Sequence, residues 1–346
     1  MTTKSTFKTT AASMNIYCCG GAGVNMGFLL KNAEFFKTEG YANVNIVFID
    51  TSLSNMRGRE VSAEELYIID GRDGSGGLRT ENNKSIAQTM DDLLLRHPAA
   101  RYNIVISSVS GGSGSVIAPN LVGKLLAEDA LVVGIVIGDT STGVFANNTV
   151  KTIQSFSGVV SKFPQKTLPL TVVLNHHSRT RQSVNNAVCQ HVAYYAALFS
   201  ETLMALDYSD IYNWVHQERV TGIKAPLTMV SANYSNPDGT LVDDKTVTPV
   251  DFESVATMLS LLIEPGDVAL TSHEYPLPYA TAGHALHDYS DLFMLGNLNL
   301  LTHTNVADFF NQVGAENAGA QKAFKARKHT QAIVPTDSLD SDGMAY

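Results

Sequence analysis

The sequence predicts a doubly wound α/β fold with a smaller second domain, and three observations support this. Short runs rich in Val and Ile alternate with helical patterns from residue 14 to residue 175, which is typical of a mostly parallel sheet covered by helices. Two glycine-rich segments, 20–25 and 110–115, directly follow two of these runs. A long stretch without Gly or Pro, 183–205, then separates this region from a second one with a different pattern.

The individual elements of the first region are predicted from the spacing of apolar residues and from the turn residues that bound each run. Strands are predicted where apolar runs are short, β-branched and bounded by turn residues, at 14–19, 44–50, 104–109, 131–138 and 168–174. Helices are predicted where apolar residues recur every three or four positions, at 27–38, 83–96 and 117–128. The acidic and polar segments that follow the strands should meet at one edge of the sheet, where such folds bind ligands. These segments are 50–52, 73–77, 139–142 and residue Asn175.

The stretch 183–205 predicts a long, largely buried central helix. Its apolar residues recur at helical spacing, at Val184, Val188, Val192, Tyr195, Leu198 and Phe199. A turn is expected at 206–210, followed by a mixed α+β region. That region should contain helices at 211–217 and 254–263 and strands at 226–233, 268–271 and 292–301.

The two ends of the chain differ in composition from the rest. Residues 1–13 are rich in Thr, Ser and Lys and predict a flexible arm, whereas 305–328 predicts a helix with a basic end. Residues 330–346 carry three aspartates and no basic residue, which predicts a flexible acidic tail. The predicted division is therefore an arm (1–13), a doubly wound α/β domain (14–182), the central helix (183–205), a second α+β domain (206–304), and a C-terminal helix with its tail (305–346).

Composition excludes several classes of function. The chain has 346 residues and a net charge of −9, which argues against a protein that binds nucleic acid directly. No run approaches the roughly 18 apolar residues of a membrane span. The three cysteines lack metal-ligand spacing, so no metal site is predicted and reduced thiols in a cytoplasm are expected.

The two glycine-rich segments carry the chemistry. In 107–119, Gly111, Gly112 and Gly114 let backbone N–H groups turn inward, and the neighbouring serines add hydroxyl donors. The helix that follows adds the positive end of its dipole, so the segment favours phosphate binding. The segment 20–25, Gly-Gly-Ala-Gly-Val-Asn, offers a second such turn about ninety residues earlier.

The first segment by itself also fits a dinucleotide site, in which Asp50 would bind ribose hydroxyls. The spacing of Gly21, Gly23 and Gly27 misses the Gly-x-Gly-x-x-Gly pattern by one residue, and such a fold does not require the segment 110–115. No Gly-x-x-x-x-Gly-Lys-Ser/Thr motif is present either, which excludes an ordinary P-loop nucleotidase.

Several motifs, in order, resemble those of the tubulin/FtsZ superfamily. Residues 110–115, Ser-Gly-Gly-Ser-Gly-Ser, resemble its Gly-Gly-Gly-Thr-Gly-Ser/Thr-Gly signature, with Val116 in place of the last glycine. Residues 20–25 resemble its first phosphate loop, and 74–77 resemble the loop that senses the γ-phosphate. The resemblance implies a doubly wound GTP-binding domain, and Mg²⁺ held on the GTP phosphates mostly through water.

The resemblance also implies which residues bind the rest of GTP. Asn175 matches the family's nucleoside-binding Asn, and Asn186 falls where an acid or amide holds the guanine edge, with Asn185 as the close rival. In 139–151, the most divergent segment, Asn147 is favoured as the ribose contact. The implied GTP ligands are Gly20, Gly21, Ala22, Gly23, Asn25, Gly76, Gly77, Ser110, Gly111, Gly112, Ser113, Gly114, Ser115, Asn147, Asn175 and Asn186.

The segment 206–210, Leu-Asp-Tyr-Ser-Asp, resembles the family's Asn-x-Asp-x-x-Asp loop, although Ala205 stands in place of the Asn. In that family the loop enters the nucleotide pocket of the next subunit in a head-to-tail filament, and its carboxylates polarise the attacking water. The resemblance therefore implies that Asp207 and Asp210 are catalytic. Two acids that merely cap the helix at 211 are the structural alternative.

Among the branches of the superfamily, the basic helix and acidic tail look most like the phage-encoded tubulins (PhuZ type), in which these elements grip the adjacent subunit. The implied function is a GTP-hydrolysing filament protein that positions phage DNA in the cytoplasm of an infected bacterium. Two alternatives remain open: an NAD-dependent oxidoreductase on a Rossmann-like domain, and a GTP-dependent switch that does not polymerise.

Overall fold

A computed structural model of the chain describes residues 12–33, 36, 42–69, 74, 79, 83–139, 142–175, 180–201, 208–216, 227–231, 233–235, 255–262, 271–278 and 297–299. Four of the predicted features therefore lie outside the described residues. They are nearly all of the N-terminal arm, Gly76 and Gly77, Asp207, and the C-terminal helix with its tail.

A parallel sheet forms the centre of the fold. Its strands are Ser13–Cys19 (β1), Asn43–Asp50 (β2), Leu66–Ile68 (β3), Tyr102–Ser108 (β4), Leu131–Asp139 (β5) and Leu168–Asn175 (β6). They lie in the order β3-β2-β1-β4-β5-β6, and every adjacent pair is parallel. The five predicted strands are thus confirmed to within two residues at each end, while the three-residue β3 was not predicted.

Helices cover both faces of this sheet. They are Gly20–Lys31 (α1), Asn83–Arg96 (α2), Gly114–Ala127 (α3), Gly143–Val160 (α4), Arg181–Leu198 (α5) and Tyr208–Val215 (α6). One apolar core joins alternate strand residues such as Ile16 and Cys18 to α1 and α5. A second core joins the intervening residues such as Tyr17 to α2, α3 and α4. Among the described helices, none is both long and apolar enough to cross a bilayer.

Five further strands follow α6. Leu227–Ser231 (β7) pairs parallel with β6. Asn233–Ser235 (β8), Val255–Leu262 (β9) and Thr271–Pro278 (β10) form a three-stranded antiparallel sheet in the order β10-β9-β8. Asn297–Asn299 (β11) pairs antiparallel with β7, so eight strands of the central sheet lie within the described residues.

The structure corrects two helix predictions in the first region. α1 begins at Gly20 and not at 27, because the positive φ of Gly20 (69°) completes the turn in one residue. α4 covers much of the segment 139–151, where no helix was predicted. Thr142 caps this helix by accepting a hydrogen bond from the Phe145 N–H at 3.2 Å.

Four further predictions differ from the structure. The predicted helix at 254–263 is strand β9, which pairs with β10 over eight positions from Val255 to Leu262, and β10 shares only Thr271 with the predicted strand 268–271. The central helix ends at Leu198 rather than at 205, because the chain turns through Ser200 and Glu201. The predicted turn at 206–210 overlaps α6, which begins at Tyr208.

Candidate functional site

The candidate site lies where the strand order of the sheet reverses. β1 and β4 are neighbours, but the chain proceeds from β1 outward to β2 and from β4 outward to β5 on the other side. The carboxyl ends of two such strands leave a crevice that binds ligands in open α/β sheets. α1 begins immediately after β1, and α3 begins at Gly114, after the turn that follows β4.

Two glycines bring the segments after β1 and β4 into backbone contact. A Cβ atom on Gly20 would lie 2.5 Å from the backbone nitrogen of Gly114, and a Cβ on Gly114 would lie 2.6 Å from the carbonyl oxygen of Cys19. The φ of Gly20 is also positive, at 69°. Any larger residue at either position would therefore push the two segments apart.

The two segments line one cavity of about 720 Å³. The backbones of 19–22 and 110–114 form part of its wall, together with Asp50, Ser52 and Asn55 from the segment after β2. Gly74, Asp139 and Phe145 also lie on this wall. The first turns of α1 and α3 face the cavity, so free N–H groups and the positive ends of both helix dipoles are directed at its contents.

Side chains behind the 108–115 segment hold it in place. The Ser108 hydroxyl lies 2.9 Å from the Ser110 hydroxyl and accepts the Gly111 N–H at 3.3 Å. From α4, the Asn148 amide donates to the Ser110 carbonyl at 3.0 Å, and the Thr152 hydroxyl donates to the Val109 carbonyl at 2.8 Å. The segment is therefore organised before any ligand binds.

Asp50 connects the segment after β2 to the first glycine turn. Its carboxylate accepts the Thr51 N–H and the Asn55 amide, each at 2.8 Å. Burial raises the pKa of this carboxyl, and the two hydrogen bonds oppose the increase. Asn55 lies directly over Gly21, where a Cβ would be 2.7 Å from the Asn55 Nδ2 atom. Thr51 in turn contacts the Ser113 hydroxyl at 2.7 Å, so three segments converge here.

A second cavity of about 690 Å³ lies on the neighbouring part of α1. Asn25 and Phe28 of α1, Arg59, and Arg181 and Asn185 at the start of α5 line it. The Arg59 guanidinium lies 4.5 Å from the centre of the Phe28 ring, which also packs 4.6 Å from Phe48. Ala22 faces the first cavity and Asn25 the second, one helical turn apart, so the two cavities are adjacent.

Comparison with known proteins identifies this arrangement. No protein-family model matches the chain. A phage tubulin-like protein of Pseudomonas phage phiKZ is 30% identical over 220 residues, which cover 58% of this chain and 62% of that protein. The chain is therefore similar to phage tubulin-like proteins, in line with the resemblance of its motifs to the tubulin/FtsZ superfamily.

Solved structures agree on the fold. A protofilament of TubZ from bacteriophage PhiKZ superposes with a TM-score of 0.63 at 20% identity, over 96% of this chain and 97% of that chain. The GDP complex of the phage tubulin PhuZ superposes with a TM-score of 0.63 at 19% identity, over 96% and 99% of the two chains. The chain spans less than two thirds of the length of the phiKZ relative to which its sequence aligns.

The structure brings together many of the GTP ligands that the superfamily resemblance implied. Gly20, Gly21 and Ala22 share the first cavity with residues 110–114. Gly23 instead packs under β4, where a Cβ would lie 2.6 Å from the Ile106 carbonyl oxygen. Ser115 is fully buried, and its hydroxyl donates to the Gly112 carbonyl at 2.8 Å. These two residues support the two glycine-rich segments and do not belong to the described lining of the first cavity.

The residues predicted to bind the nucleoside do not all line one cavity. Asn175 is at the end of β6, and its amide donates to the Asp139 carboxylate at 3.2 Å. Asn147 is exposed on α4, whereas its neighbour Asn148 is the residue that contacts the phosphate loop. Asn186 is 7% exposed, while Asn25 and Asn185 both line the second cavity.

Sequence reasoning missed the second cavity and the contact of Asp50 with Asn55. It did place Asp50, within segment 50–52, at this edge of the sheet, but gave it a ligand only in the dinucleotide alternative. Its position at the end of a strand, followed by two hydroxyl residues, is the signal that places it at this edge. The second cavity has no such signal, because Asn25 and Asn185 come from two separate helices. Within the residues that the structure describes, no group of three His, Cys, Asp or Glu side chains could hold a metal ion.

Proposed function

We propose that this chain binds and hydrolyses GTP and assembles head to tail into filaments, with each active site completed by the adjacent subunit. The observation that carries the proposal is the first cavity, in which two glycine segments in backbone contact direct two helix N-termini at one space. Such an arrangement suits a chain of phosphates, since it offers many N–H donors and a positive potential. The phage tubulin PhuZ, which shares this fold, was solved with GDP, and this supports a guanine nucleotide over other phosphate esters.

The charges of the cavity suit a nucleotide that carries a cation. Asp50 and Asp139 line it, and Arg57 is the one cationic side chain among the described lining residues. Carboxylates beside phosphates repel them unless a cation lies between, and Mg²⁺ prefers such oxygen ligands with several waters retained. Asp50 and Asp139 would hold Mg²⁺ through water, and the ion would neutralise charge on the phosphates.

The nucleoside is proposed to occupy the second cavity. It adjoins the first cavity along α1, so a nucleotide with its phosphates on residues 20–22 would extend its base past Asn25. Asn185 lines this cavity and Asn186 does not belong to the described lining, which supports Asn185 as the amide that pairs with the guanine edge. Asn175 and Asn147 remain the proposed contacts to the rest of the nucleoside.

The direction of α5 supports catalysis between subunits. The helix begins at Arg181, close to the second cavity, and its 18 residues span about 27 Å. At its far end the carbonyls of Ala196 and Ser200 accept the N–H groups of Ala42 and Ala12, beside the amino ends of β2 and β1. The chain therefore leaves α5 at the edge of the sheet opposite the cavity. Asp207 and Asp210, which come next in the sequence, are for this reason proposed to act on the nucleotide of the neighbouring subunit.

The remaining parts of the proposal follow from the relatives. A protofilament is the form in which TubZ of PhiKZ was solved, which supports self-assembly here. We propose further that the C-terminal helix and acidic tail contact the adjacent subunit, and that the filament positions phage DNA in the host cytoplasm without binding it directly.

The NAD-dependent alternative lacks a supporting observation. Hydride transfer to or from an alcohol needs a positioned acid or base, commonly a His or a Tyr–Lys pair. The described lining of the first cavity contains no His, Tyr or Lys. A GTP switch that does not polymerise would have the same cavity, so only an assembly experiment separates it from the proposal.

The test measures right-angle light scattering and phosphate release together as protein concentration rises, with GTP, ATP or GDP added. The proposal expects scattering with GTP above a critical concentration, and a rate of phosphate release per molecule that is near zero below it. A rate per molecule that stays constant across that range would overturn the inter-subunit site. Equal responses to ATP and GTP would overturn the choice of nucleotide.

A further inference from the structure

A cluster of charged and aromatic side chains lies at the edge of the sheet opposite the two cavities. It consists of Arg101 and Tyr102 at the start of β4, Glu201 three residues after α5, and Tyr208 at the start of α6, and is called the Arg101 cluster below. None of these residues belongs to the nucleotide site. Two of them, Arg101 and Tyr102, nevertheless both bind the carboxylate of Glu201.

The Glu201 carboxylate is the centre of this cluster. The Arg101 guanidinium donates to both of its oxygens, through Nε to Oε1 and through Nη2 to Oε2 at 3.0 Å. The Tyr102 hydroxyl donates to Oε1 at 2.6 Å. Two parallel N–H···O bonds from a planar fork fix the orientation of a carboxylate as well as its distance.

The backbone of Glu201 indicates that this carboxylate is needed. Its φ is +54°, in the left-handed region where a Cβ atom is unfavourable and where glycine is the usual residue after a helix. The chain has a glutamate there instead. The Glu201 side chain makes this backbone conformation less favourable than glycine would, and its hydrogen bonds to Arg101 and Tyr102 offset that cost.

Arg101 also contacts the other end of the same segment. Its guanidinium lies over the ring of Tyr208, 4.3 Å from the ring centre. Tyr208 packs in turn 5.9 Å from the ring of Tyr102, which stacks on Phe199 at 4.5 Å. The guanidinium of Arg101, directly before β4, thus contacts both Glu201 and Tyr208, which flank the segment 202–207.

We propose that Arg101 is a positioning residue for the catalytic aspartates. By binding Glu201 and Tyr208, on either side of the segment 202–207, it places Asp207 and Asp210 so that they reach the nucleotide of the neighbouring subunit. This inference rests on the function proposed above. Arg101 does not touch the nucleotide of its own subunit, because it lies at the amino end of β4 and the cavity lies at the carboxyl end. Its effect is therefore confined to hydrolysis in the assembled filament.

Arg101→Ala in the full chain tests the proposal, with Arg96→Ala as the matched control. Arg96 also has a carboxylate partner, Asp92 at 3.1 Å, and lies 5.5 Å from the centre of the Tyr67 ring, but it is on α2 and contacts neither end of the segment. Hydrolysis per assembled subunit should fall about tenfold or more for Arg101→Ala, because small displacements of a catalytic group are costly. GTP affinity and critical concentration should match those of Arg96→Ala.

Two further variants separate positioning from simple stabilisation. Glu201→Gly removes the carboxylate but relieves the left-handed backbone, so its melting temperature should stay within about 5 °C of the wild type. Its hydrolysis should nevertheless fall as far as that of Arg101→Ala. Arg101→Lys keeps the charge without the fork, so it should fold as the wild type does but regain only part of the hydrolysis that Arg101→Ala loses.

The outcomes distinguish this inference from the function on which it rests. A wild type whose hydrolysis per molecule does not depend on concentration overturns the filament site itself. A wild type with the expected dependence, together with Glu201→Gly and Arg101→Lys that hydrolyse GTP at the wild-type rate per assembled subunit, overturns the positioning role alone. A fall in hydrolysis that only tracks a loss of thermal stability across the variants overturns it too.

Discussion

The two edges of the central sheet are built in different ways. At the carboxyl edge, the cavity is made of backbone, with glycines and small hydroxyl side chains that come from contiguous segments such as 110–115. At the amino edge, the Arg101 cluster is made of long side chains whose members, Arg101 and Glu201, are 100 residues apart in the chain. The cavity therefore requires that Gly20 and Gly114 carry no side chain, whereas the Arg101 cluster requires the long side chains of Arg101 and Glu201.

This difference predicts opposite sensitivities. Adding a single methyl group should damage the carboxyl edge, because Gly20 and Gly114 leave no room for it. At the amino edge, removing groups should do the damage, and its readout should be hydrolysis rather than binding. The predictions below test that contrast in order of decreasing effect.

The largest effect is expected at the amino edge, from Asp210→Ala. This variant should lose hydrolysis by about a hundredfold or more, because a group that positions or polarises the attacking water contributes on that scale. GTP binding and filament assembly should be retained, and the filaments should persist. Phosphate release and sedimentation of polymer measure the two properties separately. Wild-type hydrolysis by this variant would mean that Asp210 only caps α6.

The next effect is expected at the carboxyl edge, from Gly20→Ala. Its Cβ would lie 2.5 Å from the Gly114 nitrogen on a backbone with a φ of 69°, so we expect a loss of about 2 kcal/mol or more in stability and a loss of GTP binding. Chemical denaturation and nucleotide titration measure these. Gly158→Ala is the matched control, because nothing lies within 4 Å of its Cβ position on α4. It should stabilise by about 0.5–1 kcal/mol, and a loss of GTP binding there would contradict a local effect at Gly20.

A smaller effect should identify the amide that reads the base. Asn185→Ala should weaken GTP binding about ten- to hundred-fold, which corresponds to one lost buried hydrogen bond of about 1–3 kcal/mol. Asn186→Ala should leave GTP affinity close to that of the wild type. Fluorescent nucleotide titration compares the two. The reverse result would support Asn186, which the sequence favoured, and would move the base out of the second cavity.

The smallest effect concerns the pH dependence of stability through Asp50. Because burial raises the pKa of Asp50 in the folded state, its protonated form is favoured there. Relative to Asp50→Asn, the wild type should therefore lose stability as pH rises from the ordinary carboxyl pKa of about 4 through the raised value, and then level off. Urea denaturation of both proteins from pH 4 to 8 measures this difference. A wild type that gains relative stability over that range would mean that the hydrogen bonds from Thr51 and Asn55 outweigh burial.

The edge that is built from backbone is also the edge that could be predicted. Val- and Ile-rich runs located β1, β2, β4, β5 and β6, since residues buried on both faces of a parallel sheet form continuous apolar segments. Glycines and serines directly after β1 and β4 then predicted where the first cavity lies, because these residue types determine local backbone geometry. The family resemblance added the order of the motifs.

Other features could not be predicted from local pattern. The apolar run of β9 is compatible with either a buried helix or a strand, and its pairing with β10 decides that it is a strand. The same holds for the end of α5, where no Gly or Pro appears before 205 and the helix nevertheless stops at Leu198. There the chain turns into a left-handed conformation that Arg101 and Tyr102 hold through the Glu201 carboxylate.

The choice between Asn185 and Asn186 shows the boundary between the two kinds of information. Composition, periodicity and turn residues determined the class of fold, the strands and the phosphate segments, because each depends on interactions within a few residues. Which adjacent asparagine faces a cavity depends on the rotation of α5 against α1, and this is set by packing of the core between them. The second cavity and the Arg101 cluster likewise exist only because the sheet brings distant segments together.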